Sequence, residues 1–258
     1  MSAAKTNEAV QRQFGAVASA YATSAVHASG PDLIALIAAA RLTGSERVLD
    51  MGCGAGHVSL AVAPKAAAVT AVDLTPEMLE VTASLAKQRG VSNIATLCAD
   101  VVALPLEDVS FDLVLSRYSA HHYAEPGRAL SEAWRLLRPG GRFLLVDTVA
   151  PEDGALDTFF NSFELIRDPS HVRNWRASEW VRMATAAGFE SRVLERFGIR
   201  IEGPSWVQRA QTPPWRATFL KQLFTEATGH QRAAFEVEDD PWAFSIPVTL
   251  IEATKPAV

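Results

Sequence analysis

Three glycines at alternate positions, Gly52, Gly54 and Gly56, punctuate the run Val48-Leu49-Asp50-Met51-Gly52-Cys53-Gly54-Ala55-Gly56. Glycine lets a backbone turn tightly and lets a ligand approach it with no Cβ in the way. Asp50 stands immediately before this loop. Asp73 ends a later β-rich run, 17 residues after Gly56. An acidic side chain there can accept both hydroxyls of a ribose. Asp100 follows a further run in Cys98-Ala99-Asp100-Val101, where its carboxylate could accept from a base amino group while the Val101 amide donates. Proton chemistry would come from Ser116-Arg117-Tyr118-Ser119-Ala120-His121-His122-Tyr123, in which His122 is the better candidate base. Each residue also has a plainer reading. Asp73 could cap the next helix, a task that Thr75 suits better, and Asp100 could close a turn. His122 could be a packed ring bonded to a backbone carbonyl.

These groups need elements to hold them. Val10, Phe14, Val17 and Tyr21 fall on one face of a helix, and Gly30-Pro31-Asp32 opens a second. From Arg47 the pattern changes to short β-rich runs: 47–50, 69–73, 94–98, 111–116 and 142–146. Between them lie a short helix ending before Pro64, a helix from Pro76 stopped by Gly90, and one from Pro126 to Leu137. Such alternation predicts a parallel sheet with helices on both faces, wound by right-handed crossovers. Further on, 178–187 reads as a helix, 190–197 as a strand, 198–240 as mostly helical with a break at Pro213-Pro214, and 242–253 as the last strand. The expected fold is α/β, a Rossmann-like doubly wound sheet of seven strands, mostly parallel with an antiparallel last strand, plus helical cap additions. Residues 1–45 form an N-terminal helical cap, 46–150 the cofactor-binding core, and 151–258 the rest of the sheet with its cap insertions, in one structural domain.

Two ligand classes use a glycine loop at the carboxyl end of a parallel strand. A dinucleotide wants Gly-x-Gly-x-x-Gly with its pyrophosphate at the helix N-terminus. Here His57 occupies the third glycine's position, and the Asp50 charge opposes a pyrophosphate. S-adenosylmethionine carries an ammonium and a sulfonium and no phosphate, so the charge pattern favours it.

Together these motifs resemble the class I S-adenosylmethionine-dependent methyltransferases. The match runs from about Val48 through Asp147 and includes Ala71-Val72-Asp73, Ala99-Asp100-Val101 and Leu137-Arg138-Pro139-Gly140-Gly141 in the family's order. Within that family the chain looks most like the ubiquinone/menaquinone C-methyltransferase-like branch. The resemblance implies Gly52, Cys53, Gly54 and Gly56 at the methionine portion of the cofactor, with Asp50 near it. It implies Asp73 on the ribose, Leu74 and Met78 against the adenine, and Asp100 and Val101 at the adenine's polar edge. The Arg117 backbone would lie near the methionine amino end, and Tyr21 could close over the cofactor or simply pack. The quinone enzymes carry Tyr-Asp-x-Met-Asn where this chain has Tyr21-Ala22-Thr23-Ser24-Ala25, a departure that argues against a quinone acceptor.

Composition narrows the partners. The chain has 258 residues with 24 basic and 29 acidic side chains, a net charge of −5. That balance disfavours a nucleic-acid binder, which needs a basic face. No apolar run approaches the roughly 18 residues of a membrane span, and two unrelated cysteines, Cys53 and Cys98, suit a cytoplasmic protein. Residues 167–232 nevertheless hold eleven Lys/Arg against six Asp/Glu. This is either an ordinary solvated surface or a cap that attracts an acidic substrate. Trp175, Trp180, Trp206 and Trp215 fall in the same half and either line a pocket or pack. His171 reads best as a solvated surface residue. The expected activity is transfer of a methyl group to a small-molecule acceptor, with C-, O- and N-methylation open and no metal required. The expected partner is that acceptor, with no nucleic acid and no membrane span, and a homodimer is allowed for. The alternatives are an RNA or protein methyltransferase and a non-catalytic S-adenosylmethionine-binding protein.

Overall fold

Hydrophobic β-branched runs form the centre of the molecule. In the computed structural model, which describes residues 2–22 and 28–257, they build one sheet. The five runs of the first half become β1 (Arg47–Met51), β2 (Ala68–Asp73), β3 (Ile94–Cys98), β4 (Phe111–Arg117) and β5 (Leu137–Thr148). They are followed by β6 (Glu190–Glu202), β7 (Glu238–Asp239) and β8 (Trp242–Thr254). The strand order is β3-β2-β1-β4-β5-β8-β6, with the two-residue β7 paired to β8. β1 to β5 are mutually parallel, and β8 runs antiparallel to both β5 and β6. The expected seven strands are present, and β7 is an eighth.

The helices are α1 (Ala3–Ala22), α2 (Pro31–Ala40), α3 (His57–Val62), α4 (Pro76–Gln88) and α5 (Pro126–Leu136). Beyond β5 come α6 (Gly154–Arg167), α7 (Ala177–Ala186), α8 (Gly203–Arg209), α9 (Pro214–Thr225) and α10 (Gly229–Ala234). One face of the sheet packs on α5 and α7 through Leu130, Ala133, Trp180 and Ala184. The other packs on α2 and α3 through Leu33, Leu36, Val58 and Val62. Strand order reverses between β1 and β4, and at such a switch point the crevice beyond the strand ends is the natural ligand site.

Three expectations need correction. The strand placed at 190–197 continues to Glu202, because Ile199 and Ile201 keep the two-residue alternation and pair opposite Ile246 and Phe244. β5 begins at Leu137 rather than Arg142, taking in the Pro-Gly-Gly turn through the Phe111–Leu137 pairing. Helix α6 was not anticipated, although its signals are local. Asp153 accepts hydrogen bonds from the Ala155 and Leu156 amides at 2.9 and 3.0 Å, and Phe159, Phe160 and Phe163 follow on a common buried side. Those rings meet Trp206, Phe224, Phe235, Trp242 and Phe244 in a separate aromatic core beneath α6, α8 and α9.

Candidate active site

The loop after β1 falls at the reversal point, and all three of its glycines are left-handed, with φ of 70°, 52° and 78°. They do different work. A Cβ on Gly52 would lie 2.5 Å from Ser119 Oγ, and one on Gly56 would lie 2.5 Å from Thr82 Cγ2. A Cβ on Gly54 meets nothing within 4 Å. Gly52 and Gly54 border a cavity of about 1040 Å³, part of it open to solvent, whereas Gly56 is turned into the packing against α4. Gly56, expected at the methionine portion of the cofactor, does not border the cavity and allows α4 to approach the loop.

Asp50, expected near the same portion, also stands back from the cavity. It is 1% exposed. Its Oδ2 accepts from the Ser59 amide and hydroxyl at 3.0 and 2.6 Å, so it ties the first turn of α3 under the loop. Burial pushes its carboxyl up to about 6, against the Ser59 bonds, which favour the charge. Oδ1 is buried without a hydrogen-bond partner among the described residues. Its influence on the cavity is that of a charge beneath the backbone.

The remaining cofactor candidates do border the cavity: Tyr21, Cys53, Asp73, Leu74, Met78, Asp100, Val101 and Arg117 all line it. Asp73 Oδ2 accepts from the Gly54 amide at 2.8 Å, and Oδ1 from the Thr75 amide at 2.9 Å. Thus Asp73 holds both the loop and the start of α4, a task first given to Thr75. Burial raises the carboxyl of Asp73, and it raises the Cys53 thiol with help from the charges of Asp73 and Asp50. Asp100 accepts from Asn7 Nδ2 at 2.6 Å and from the Val102 amide at 3.1 Å. The Arg117 guanidinium is spent on Asp32 at 2.6 Å, both groups nearly fully buried, which fixes α2 to the end of β4. The acidic side chains around the cavity are therefore Asp73, Asp100 and Glu125, and the basic ones Arg117, His57 and His122, with burial lowering the pKa of both imidazoles.

Sequence reasoning missed part of this wall. Helix α1 lies across the cavity, with Asn7, Val10, Phe14 and Tyr21 facing it. Asn7 extends the Val10-Phe14-Val17-Tyr21 spacing by one turn, so a polar residue on that face was the available signal. The helix is tied down by Gln11 Nε2 donating to the Leu74 carbonyl at 3.0 Å and His57 Nε2 donating to the Tyr21 carbonyl at 2.8 Å. Residues Thr23 to Ala25, where the chain departs from the quinone enzymes, lie outside the described residues.

A second cavity, of about 610 Å³, adjoins the first, and Phe14, Tyr21, Tyr118 and His122 border both. His122 sits in a short 3₁₀ turn, Ala120–His122, held by Asp147 at the end of β5. Asp147 accepts from the amides of Ala120 and His121 at 2.7 and 3.2 Å and meets His121 Nδ1 at 2.6 Å. Burial opposes the charge on His121, but the Asp147 contact outweighs it and raises the imidazole pKa. His122 behaves oppositely: burial and its charged neighbour push it down to about 4. Its Nδ1 lies 3.0 Å from the Ser170 carbonyl, which only a protonated Nδ1 can satisfy, leaving Nε2 as the ring's free nitrogen. The carbonyl contact of the plainer reading is present, and so is exposure to both cavities.

His171 is not a surface residue. It is 6% exposed, its Nε2 meets Asn161 Oδ1 at 3.1 Å, and burial beside two other imidazoles drives it down to about 2. Of the tryptophans, Trp206 lines the second cavity, Trp180 packs in the core, and Trp215 is 68% exposed.

A doubly wound sheet with a glycine loop and carboxylates at successive strand ends defines a nucleoside-cofactor fold. Residues 49–145 match the family described as methyltransferase domain. The chain is 37% identical over 246 residues to the uncharacterized methyltransferase YcgJ of Bacillus subtilis (strain 168), covering 94% of this chain and 97% of that one. The crystal structure of YcgJ superposes with a TM-score of 0.84 over 87% of this chain and 98% of that one. The structure of BH2331 from Bacillus halodurans C-125, 36% identical, also gives 0.84, over 88% of this chain and all of that one. A demethylmenaquinone methyltransferase of Clavibacter sepedonicus is 34% identical over 146 residues, 55% of this chain and 59% of that one. The chain belongs to the class I methyltransferases. Among the described residues, no helix is long and apolar enough to cross a membrane.

Proposed function

We propose that the chain uses S-adenosylmethionine to methylate a small-molecule acceptor. The observation that carries this reading is the pair of adjoining cavities, one edged with carboxylates and one closed over by helices, with His122 at their seam. The first cavity fits the cofactor on electrostatic grounds. Asp73 and Asp100 offer acceptors for ribose hydroxyls and a base amino group, while Arg117, the arginine of its wall among the described residues, is already paired with Asp32 and leaves no cation set aside for a diphosphate. Asp73 would hold the ribose hydroxyls, Leu74 and Met78 the adenine faces, Asp100 and Val101 its polar edge. The open side of Gly54 leaves room for the methionine portion. When bound, S-adenosylmethionine supplies an electrophilic methyl group on a sulfonium.

The chain's own task is alignment and exclusion of water. Phe14, Tyr21 and Tyr118 close the seam around the reacting atoms. His122, unprotonated at neutral pH, is the group that would accept a proton from the acceptor, with Ser170 holding its tautomer. Asp147 is a positioning residue: it fixes the turn that carries His122 and holds the His121 ring beside it. The second cavity, walled by α1, α6 and α8, supports a small acceptor over a macromolecule.

The test uses S-adenosylmethionine with a labelled methyl group, incubated with the protein and an extract of the source cells. Label is expected in the extractable small-molecule fraction and absent with Asp73→Ala. His122→Gln should cut the rate about 100-fold or more, with affinity for S-adenosylhomocysteine within about threefold of wild type. Label in the precipitated macromolecular fraction would transfer the assignment to RNA or protein. Cofactor binding without label in either fraction would favour the non-catalytic reading.

A further inference from the structure

Six of the arginines in the basic 167–232 segment are matched by carboxylates. Arg173 and Arg176 reach Asp157, Arg192 reaches Glu252, Arg200 reaches Glu238, Arg232 reaches Asp239, and Arg167 reaches Glu164 at 3.4 Å. Arg209 is different. It lies in the last turn of α8, lines the second cavity, and has no carboxylate within salt-bridge distance among the described residues. Its Nε is buried and donates to nothing among them. The hydration lost at that edge of the guanidinium is not returned by an ion pair.

Two carboxylates share the cavity with Arg209: Glu164, which lies 3.4 Å from Arg167, and Asp168. Arg167 donates to the Trp206 carbonyl at 3.2 Å, stacks over the Trp206 ring at 5.0 Å and hydrogen-bonds the Tyr21 side chain. Asp168 Oδ1 accepts from the Ser170 amide and hydroxyl at 2.8 and 2.6 Å. His121 answers Asp147. Arg209 is the arginine of this wall with no carboxylate in salt-bridge distance among the described residues, and Trp206, Ile199, Ile201 and Ile246 line the cavity beside it. A phosphate dianion would need several donors and more than one positive charge. A single guanidinium beside an apolar wall matches a single carboxylate.

We propose that the second cavity takes a small monocarboxylic acid as methyl acceptor, its carboxylate on Arg209 and its apolar body against Trp206 and the isoleucines of β6 and β8. This rests on the methyltransferase reading of the adjoining cavities and names the acceptor class within it. The acceptor's reacting atom then lies toward the seam at Tyr21 and His122, because Arg209 borders the second cavity alone.

The experiment measures binding, so it does not need the natural acceptor. Benzoate, 3-phenylpropanoate and hexanoate are each titrated calorimetrically beside their primary amides, with and without S-adenosylhomocysteine, on wild type, Arg209→Gln and Arg209→Lys. At least one acid should bind wild type about tenfold or more tighter than its amide, a charge-assisted hydrogen bond being the difference. That preference should vanish in Arg209→Gln and return in part in Arg209→Lys, while amide binding and S-adenosylhomocysteine affinity stay within about twofold. If no acid is preferred over its amide, or the preference survives Arg209→Gln, the proposal falls. Failure of S-adenosylhomocysteine to bind wild type would instead strike the methyltransferase reading, and the acid-to-amide ratio would still decide the role of Arg209.

Discussion

The first cavity is largely a product of backbone at strand ends. Gly52 and Gly54 bend it, the Gly54 and Thr75 amides clamp Asp73, and Asp50 pins the start of α3 from beneath. The second cavity is assembled from side chains on α1, α6, β6, α8 and β8, elements far apart in sequence. The two also differ in charge: carboxylates dominate the first, whereas the second mixes Glu164 and Asp168 with Arg167 and Arg209, and Arg209 has no carboxylate in salt-bridge distance among the described residues. The difference teaches where tolerance should lie. Backbone-built walls have few solutions and should fail sharply under small substitutions. Side-chain walls can be altered one ligand contact at a time.

The largest effect should come from Gly56→Ala. It meets both a left-handed φ of 78° and a Cβ contact of 2.5 Å with Thr82, so overpacking adds to backbone strain. Together these should cost about 3 kcal/mol in chemical denaturation. Gly54→Ala bears only the strain and should cost about 1–2 kcal/mol, while its new methyl group enters the cavity and weakens S-adenosylhomocysteine. Equal losses of stability would show that packing against α4 does not separate the two glycines.

The seam gives a pH-dependent prediction. His122 titrates at about 4 in the folded chain, below the 6.5 of an unhindered imidazole. Between these values the unfolded chain binds a proton that the folded chain refuses, so stability falls as pH drops from 6.5 toward 4. Relative to His122→Gln, wild type should lose up to about 1.4 kcal/mol per pH unit in that window. A pH-independent difference between the two proteins would mean that the ring is not held in its neutral form. On the cofactor side, Asp73→Ala removes the carboxylate expected on the ribose and the clamp on the loop. S-adenosylhomocysteine affinity should drop about 100-fold by calorimetry, two charge-assisted bonds being lost. Acid binding in the second cavity should be unchanged, and a parallel loss there would erase the distinction between the cavities.

Much of the first cavity was legible in the chain because its constraints are local. A glycine needed at positive φ, an aspartate ending a strand, and a proline opening a helix each mark a backbone state. Even so, spacing alone could not tell Gly54, which faces the cavity, from Gly56, which faces Thr82. Nor could it show Asp50 turned under the loop toward Ser59. The second cavity was scarcely legible. Arg209 is one of eleven basic residues in its segment, and only the packing of α8 against the other walls leaves it without a carboxylate partner among the described residues. His171 reads as polar surface until Asn161 and the imidazoles of His121 and His122 enclose it. The strand extension to Glu202 was hidden for a milder reason, since Ile199 and Ile201 alternate just beyond Gly198.

Helix α1 is the element that touches both halves, and its ties divide between them. Asn7 Nδ2 donates to Asp100 at 2.6 Å on the cofactor side, whereas Gln13 Nε2 donates to the Ala210 carbonyl at 2.7 Å beside Arg209. Each is a single side-chain hydrogen bond with at least one partly exposed partner, so its loss should be worth about 1 kcal/mol, or three- to fivefold in affinity. Asn7→Ala should therefore weaken S-adenosylhomocysteine by that factor and leave the acid-to-amide ratio alone. Gln13→Ala should loosen the junction with α8 and lower acid binding while sparing S-adenosylhomocysteine. The contrast depends on α1 yielding locally at each end. If both variants depress both affinities alike, the helix moves as one rigid lid, and the two cavities open and close together despite their different construction.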